Sequence, residues 1–246
     1  MDHLLRGALT CTRTTRQTFL KKLKNLPQTN AIVISCIDPR VFPSKFLSSD
    51  VGQMYIVRNA GNLVPAAEKA REECNVLGSL ELACVRGSVR DVVICGHSDC
   101  KAMGLLHEMG TELVANKSTL PELSPLQRWV AYHGMSSFKK YHANGNVLEF
   151  TQTFSTGQSQ SLQLALESLA QFNKIDQLSQ VNVLQQMAHV YSHPILAGRI
   201  ASGTLRVHGL WFHIEDAKVY MFSRVRKQFI PVKEDTLQLL MDELEN

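Results

Sequence analysis

The chain of 246 residues is 44% hydrophobic and 20% charged, which is the balance of an ordinary globular protein. Its formal net charge is +4 and its basic residues are spread along the chain, so no nucleic-acid partner is predicted. Its continuous apolar runs are far shorter than the roughly 20 residues of a membrane helix, and no secretory signal is recognisable, so no membrane partner is predicted.

The first 24 residues allow two interpretations. They carry six basic residues, several threonines and a single acid, Asp2, which is a composition typical of a mitochondrial transit peptide. The alternative is an N-terminal helical arm, with Thr15 as a helix N-cap and with Phe19, Leu20 and Leu23 on one face. We adopt the helix, and the predicted location is intracellular, either mitochondrial or cytoplasmic.

The six cysteines do not form the dense pattern of a disulfide-rich scaffold. They stand at positions 11, 36, 74, 84, 95 and 100 of a chain that is long for such a scaffold. A reducing compartment is therefore expected, and clustered cysteines there indicate metal binding or catalysis.

Three short apolar runs predict buried strands in the first half of the chain. They are Ala31–Ile34, Met54–Val57 and Val92–Cys95. Continuous β-branched runs are typical of a parallel sheet that is covered on both faces. A helical stretch at Glu68–Val85 separates the second run from the third, and this alternation predicts an α/β fold.

The second half alternates between helical and strand patterns. The predicted helices are Ser124–His142 (with Ser124 as N-cap), Gln160–Phe172, Gln180–Tyr191 and Glu234–Leu244. The predicted strands are Leu205–Ile214 and Val219–Phe222, around a turn at Glu215–Lys218. We therefore predict a single domain over residues 1–246, with a helical insertion at residues 104–178.

Two motifs follow the first and third predicted strands directly. The first is Cys36-Ile37-Asp38-Pro39-Arg40, and the second is Gly96-His97-Ser98-Asp99-Cys100. In open α/β sheets, ligands bind at the carboxyl ends of the strands, where the strand order reverses. If the two strands are neighbours, the two motifs meet at that edge.

Cys36, His97 and Cys100 together form a Cys2His donor set. Thiolate and imidazole select zinc over hard cations, and one zinc per chain is predicted. Three protein ligands leave a fourth position for water, which is the arrangement of a catalytic zinc site. The alternative is a zinc-stabilised, non-catalytic scaffold in which Asp38 completes a closed Cys2HisAsp shell.

Asp38 and Arg40 are predicted to work as a pair beside this metal. The aspartate can accept a hydrogen bond from a metal-bound water, and the guanidinium can hold the carboxylate bidentately, away from the metal. The alternative is a surface salt bridge, which contributes little to stability.

Rival zinc enzymes lack support in the sequence. An alcohol dehydrogenase would need a G-x-G-x-x-G dinucleotide fingerprint, and a zinc deaminase would need H-x-E with P-C-x-x-C. Neither pattern occurs in the chain.

The two motifs resemble the zinc motifs of the beta-class carbonic anhydrases, most closely those of the animal members. Three further segments resemble parts of the same family: Arg58-Asn59-Ala60-Gly61-Asn62 after the second strand, Ser179 to Gln185 in a later helix, and Leu205 to Trp211 in the fourth strand. The similarity extends to about Pro231. One departure is Pro39, which replaces the family's usual serine and cannot donate a backbone hydrogen bond.

The resemblance implies both a fold and an activity. It implies four parallel strands with a fifth antiparallel, and a homodimer or higher even oligomer in which the N-terminal helix packs on a partner. It implies reversible hydration of carbon dioxide to bicarbonate and a proton by zinc-bound hydroxide. The implied substrate pocket lies at the dimer interface and consists of Tyr55, Ala60, Gly61 and Leu82, with Gln28 contributed by the partner.

Overall fold

A computed structural model of the protein describes residues 1–70, 74–116, 123–153 and 159–245. The strands are β1 (Ala31–Cys36), β2 (Met54–Asn59), β3 (Asp91–His97), β4 (Val147–Thr153), β5 (Ser159–Ala165), β6 (Arg206–His213), β7 (Lys218–Ser223) and β8 (Gln228–Pro231). The α-helices are α1 (Asp2–Thr10), α2 (Arg16–Lys24), α3 (Pro43–Phe46), α4 (Asn75–Leu80), α5 (Lys101–Asn116), α6 (Pro125–Tyr141), α7 (Lys174–Tyr191), α8 (Pro194–Ala201) and α9 (Glu234–Glu245).

A six-stranded sheet in the order β2-β1-β3-β6-β7-β8 forms the centre of the molecule. Its first four strands are parallel, and β7 and β8 extend it antiparallel at one edge. The predicted α/β fold is therefore confirmed, with β8 added as a short sixth strand. Ile32, Ile34 and Ile94 are fully buried, because this part of the sheet is covered on both faces.

The first three strands lie where the apolar runs predict them, but they continue further, to Cys36, Asn59 and His97. Cys36 pairs with Asn59 across the first two strands, and this ladder extends the strands into polar sequence. The motif residues therefore begin within the strands, and the sheet fixes their backbone.

Helix α6 begins where its capping signal predicts. The Ser124 side chain accepts a hydrogen bond from the Gln127 backbone, and the Gln127 side chain accepts one from the Ser124 backbone, at 3.3 and 2.9 Å. Pro125 occupies the first turn. The reciprocal pair satisfies two backbone donors that the helix itself leaves unpaired.

The prediction of a helix at Gln160–Phe172 is wrong. Residues 159–165 form β5, which pairs antiparallel with β4, and a short 3-10 turn follows at Leu166–Leu169. Leu162 and Leu164 alternate with polar residues and are buried, so the period of two outweighs the helical interpretation. The insertion at 104–178 thus contains a β-hairpin as well as helices, and its residues 117–122 and 154–158 lie outside the described part.

The predicted helix at Glu68–Val85 is divided. A 3-10 turn at Ala67–Lys69 is followed by α4 and then by a wider π-type turn at Glu81–Arg86. Residues 71–73 of this prediction lie outside the described part.

The N-terminal segment is helical from Asp2 to Lys24, with a wider π-type turn at Cys11–Thr15. Thr15 occupies the N-cap position of α2, as predicted, but its side chain makes no capping hydrogen bond; its hydroxyl instead donates to the Cys11 carbonyl at 3.1 Å, because the helical turn before it continues into α2. The apolar side chains of this segment are exposed, among them Phe19 and Leu23. Within the described ranges, no helix combines the length and the apolarity needed to cross a membrane.

Two glycines of α5 provide a test of how closely α5 packs against α6. A Cβ atom at Gly110 would lie 2.5 Å from the buried Phe138 ring, whereas one at Gly104 would meet nothing within 4 Å. We expect Gly110→Ala to lower the free energy of unfolding by about 1–3 kcal/mol through overpacking. Gly104→Ala is the matched control and should raise it by about 0.5–1 kcal/mol. Urea denaturation measures both, and equal effects would contradict the close packing.

Candidate metal centre

Parallel pairing of β1 with β3 brings Cys36 and His97 to the same edge of the sheet. Cys100 completes the group from the position directly before α5. The two sulfur atoms are 4.0 Å apart, and one ligand atom from each of the three residues lies within 4.8 Å of the other two. All three residues are buried. Among the described residues this is the one such group, and the carboxylate of Asp38 is not part of it.

The hydrogen bonding of His97 leaves its Nε2 atom unprotonated and available as a ligand. His97 Nδ1 lies 2.8 Å from the Ser98 carbonyl oxygen, which can only accept, so the proton is on Nδ1. Nε2 is buried and has no hydrogen-bond partner in the described part of the chain. Buried polar atoms are rarely left unpaired, and a metal ion is the partner that an imidazole lone pair beside two thiols fits.

The two thiols differ in acidity because they are close and buried. The hydrogen bond from Cys100 lowers the pKa of Cys36 to about 4, although burial opposes this shift. The same hydrogen bond, together with burial, raises the pKa of the Cys100 thiol. Two thiolates so close repel each other, and a divalent cation would stabilise both charges. The donor set therefore fits zinc.

Asp38 is held by Arg40 through two parallel hydrogen bonds. Arg40 Nε lies 3.0 Å from Asp38 Oδ1 and Nη2 lies 2.8 Å from Oδ2. The Asp38 side chain is 8% exposed, and the side-chain hydrogen bond from Arg40 is the largest cause that lowers the pKa of Asp38, to about 2. The carboxylate is thus ionised at neutral pH and its orientation is fixed by the guanidinium.

Pro39 does not disturb this arrangement. The backbone of Val41 donates to the Asp38 carbonyl at 3.0 Å and closes a turn in which Pro39 is the second residue. Proline favours that position of a turn, and its missing N–H is not needed there.

Two further acidic residues, which the sequence did not predict to have a role, support Arg40. Asp99 Oδ2 accepts from Arg40 Nη1 at 2.7 Å, and the Asp99 carbonyl accepts from Arg40 Nη2 at 3.1 Å. The backbone N–H of Asp99 donates to the buried Asp176 at 2.7 Å. Asp99 has a φ of +51°, and the hydrogen bond to Asp176 helps hold this uncommon conformation.

Helix α7 holds the backbone at His97 and at Gly61, the residue next to Cys36. Ser179 Oγ donates to the His97 carbonyl at 2.7 Å, and Asn182 donates to the Gly61 carbonyl at 3.1 Å. The N–H of Gly61 in turn points at Cys36 Sγ, 3.5 Å away. These hydrogen bonds fix the backbone on both sides of the three candidate ligands.

Arg58 is a further contributor that only the structure reveals. Its guanidinium donates to the carbonyls of Cys36 and Asp38 at 3.0 and 2.6 Å. It therefore anchors the first motif to the edge strand β2.

The predicted pocket residues fall into two groups. Gly61 lies next to Cys36, and its neighbour Ala60 accepts a hydrogen bond from Trp129 at 2.9 Å. Tyr55 pairs in register with Ile32, four residues before Cys36, which corresponds to about 13 Å along the strand.

The other two predicted pocket residues lie on the surface. Leu82 is 55% exposed in the π-type turn. Gln28 precedes β1 and donates to Ser88 at 3.4 Å, at the end of the sheet opposite to Cys36. One protomer thus gathers Ala60 and Gly61 near the three candidate ligands, but not Tyr55 or Gln28.

Comparison with known proteins gives a consistent family. A family model described as carbonic anhydrase matches residues 31–219. The chain is 34% identical to beta carbonic anhydrase 1 of Caenorhabditis briggsae, with 100% of the chain and 93% of that protein covered. It is 36% identical to beta carbonic anhydrase 1 of Caenorhabditis elegans, with 99% and 93% covered.

Solved structures share the fold at lower identity. The beta-carbonic anhydrase CcaA superposes with a TM-score of 0.70 at 20% identity, over 95% of this chain and 92% of that one. A tetrameric beta-carbonic anhydrase of Sordaria macrospora gives a TM-score of 0.58 at 18% identity, over 90% and 93%.

Proposed function

The chain belongs to the beta-class carbonic anhydrases, and on this premise we propose that it binds one zinc ion per chain through Cys36, His97 and Cys100 and interconverts carbon dioxide and bicarbonate there. The observation that carries the proposal is the buried Nε2 atom of His97, which has no hydrogen-bond partner among the described residues, in a side chain grouped with two cysteine sulfur atoms. When bound, zinc supplies a Lewis acid that lets water ionise near neutral pH.

Asp38 acts as the hydrogen-bond acceptor for the attacking water. Its carboxylate is ionised, and the hydrogen bonds from Arg40 leave it acceptor capacity for one more donor. Arg40 keeps the carboxylate away from the metal, so that the fourth position remains available to water. The closed Cys2HisAsp scaffold is the alternative, and it would require Arg40 to release Asp38.

Asp99 and Asp176 position Arg40. Asp99 accepts two of the hydrogen bonds of the Arg40 guanidinium, and Asp176 fixes the backbone of Asp99. The guanidinium therefore lies between two carboxylates, and its orientation does not depend on Asp38 alone.

The substrate pocket needs two copies of the chain. Tyr55 is about 13 Å along the strand from the metal ligands of its own protomer, and Gln28 lies beyond the other end of the same sheet. We propose that Tyr55, Leu82 and Gln28 of one protomer complete the pocket that Ala60 and Gly61 begin in its partner.

Exposed apolar groups support a homodimer or a higher even oligomer. The edge strand β2 exposes Ile56 beside Tyr55, and the N-terminal helical segment exposes Phe19 and Leu23. Unpaired strand edges and apolar helix faces are typical of surfaces that another chain covers. The segment therefore serves as a dimer arm, and the six free cysteines fit a reducing compartment, mitochondrial or cytoplasmic.

Replacing one ligand tests the metal site. Cys100→Ser should lose most of the zinc, because a hydroxyl is a far poorer ligand than a thiolate. Cys95→Ser is the matched control, since Cys95 is also buried but lies outside the group. Zinc per chain is measured by mass spectrometry after dialysis. Full zinc retention in Cys100→Ser would remove this cysteine from the ligand set.

Replacing Arg40 or Asp38 separates an enzyme from a scaffold. Arg40→Ala frees Asp38 to close the metal shell, so zinc should be retained while hydration falls by about 100-fold. Asp38→Ala should also retain zinc and lose activity, because the attacking water loses its acceptor.

The exposed Lys233, paired with Asp235, provides the control Lys233→Ala, which should change neither property. Zinc content and hydration rate are measured on the same preparations. Near wild-type activity in Arg40→Ala would refute the proposed role of the pair.

Mixing two impaired variants tests the shared pocket. A Tyr55→Ala protomer keeps its own zinc ligands, and a Cys100→Ser protomer keeps its Tyr55. If Tyr55 serves the partner's site, refolding the two together should give more hydration activity than the sum of the separate variants. Sedimentation at micromolar concentration should show no active monomer. Absence of rescue together with an active monomer would contradict the two-chain pocket.

A further inference from the structure

A second cavity lies at the end of the sheet opposite to the metal centre. It has a volume of about 1110 Å³ and is bordered by residues from the start of β6, the end of α8, β7 and α9. Strand β6 runs from Arg206 beside this cavity to His213, seven residues later, at the metal-centre end. At about 3.3 Å per residue, Arg206 lies about 20 Å along the strand from Phe212, which pairs with His97, and the lining residue nearest to that level on β6 is Gly209.

Four arginines line the cavity, and one of them is neutralised. Arg206 forms an ion pair with Asp91 at 2.9 Å, and His208 also contacts that carboxylate, at 2.9 Å. Among the described residues that line the cavity, the one acid is Glu243, which accepts from the Ser223 hydroxyl and the Arg224 backbone N–H.

The other three guanidinium groups have no carboxylate partner in the described part of the chain. Arg199 donates to the carbonyls of Cys84 and Thr204. Arg224 donates to neutral oxygens of Tyr191, Val207 and Gln160 (at 2.6, 3.1 and 3.3 Å). Neutral partners leave the positive charge uncompensated and several N–H donors unused.

Arg90 is the most available of the three. It is exposed, and no side-chain hydrogen bond or ion pair of its guanidinium occurs among the described residues. The negative charge of Glu243 can offset only one of these three arginines, so the described lining keeps an excess of positive charge.

We propose that this cavity binds a phosphate-bearing organic anion of about the size of a nucleoside diphosphate. Guanidinium groups match the geometry of phosphate oxygens and bind them through parallel hydrogen bonds. The volume of about 1110 Å³ exceeds what inorganic phosphate fills and is slightly above the roughly 300–1,000 Å³ of pockets for organic ligands. Ile200, Met221 and Phe222 supply apolar surface for the organic part.

Isothermal titration of the intact, zinc-loaded protein tests this site. The probes are ADP and inorganic pyrophosphate, with adenosine and equal concentrations of bicarbonate as comparisons. We expect ADP and pyrophosphate to bind, and adenosine and bicarbonate to bind at least about tenfold more weakly, because the arginines recognise the phosphates.

Charge reversal at one position inside the cavity and one outside it tests whether ADP binds in the cavity. Arg90→Glu should weaken ADP binding by about tenfold or more, because it places an acid at the cavity. Arg226→Glu changes the net charge equally but lies outside the lining, and should leave the affinity unchanged. Arg224→Lys keeps the charge and loses the planar fork, so it should weaken ADP binding by a smaller factor.

The proposal is overturned if ADP and pyrophosphate fail to bind at millimolar concentration, or if adenosine binds as well as ADP. Equal weakening by Arg90→Glu and Arg226→Glu would also overturn it, because binding would then reflect net charge only. Circular dichroism of each variant ensures that a lost affinity is not lost folding.

Discussion

The parallel pairing of β1 with β3 is the constraint on which the rest of the structure depends. It ends two strands at one edge and so brings Cys36 and His97 together, although 60 residues separate them in the chain. The hydrogen bonds of α7 to the His97 and Gly61 carbonyls then fix the backbone that follows each strand. Neither thiol nor imidazole has to be ordered by the metal alone, so little conformational entropy is lost when an ion binds.

The Arg40 guanidinium links the two carboxylates that lie at this edge of the sheet. Arg40 lies between Asp38 and Asp99 and bonds to both carboxylates, at 2.8 and 2.7 Å. An ion pair on an open surface contributes little, but Asp38 is nearly buried, and its two parallel bonds also set its direction. In the proposed function, this pair decides whether the carboxylate would serve a water molecule or the metal, which is the difference between an enzyme and a closed structural site.

The sequence predicted the parts of the molecule in which local pattern and burial agree. Strand runs such as Ala31–Ile34 and the capping pattern at Ser124 lie where they were expected, and the two motifs do meet. The helix predicted at Gln160–Phe172 failed because Leu162 and Leu164 fit a period of two once β4 is present to pair with them. The apolar positions of this segment can be read from the sequence, but its pairing with β4 cannot.

Long-range contacts account for the rest of what the sequence left open. Asp176 lies 77 residues from Asp99, so no local pattern links them; the one signal is Asn173, whose cap marks a helix start earlier than predicted. The helical turns before Thr15 were not predicted, and they explain why Thr15 stands at the start of α2 without a capping side-chain hydrogen bond. The distance of Tyr55 from the candidate ligands follows from strand register, which only the folded sheet provides.

The most direct test of the account follows hydration while zinc is restored. The protein is stripped with a chelator, zinc is titrated back, and the rate of carbon dioxide hydration is recorded by stopped flow at each addition. The account predicts a rate that rises with bound zinc and stops rising at one zinc per chain. A protein that binds one zinc per chain and does not hydrate carbon dioxide faster than buffer would contradict it.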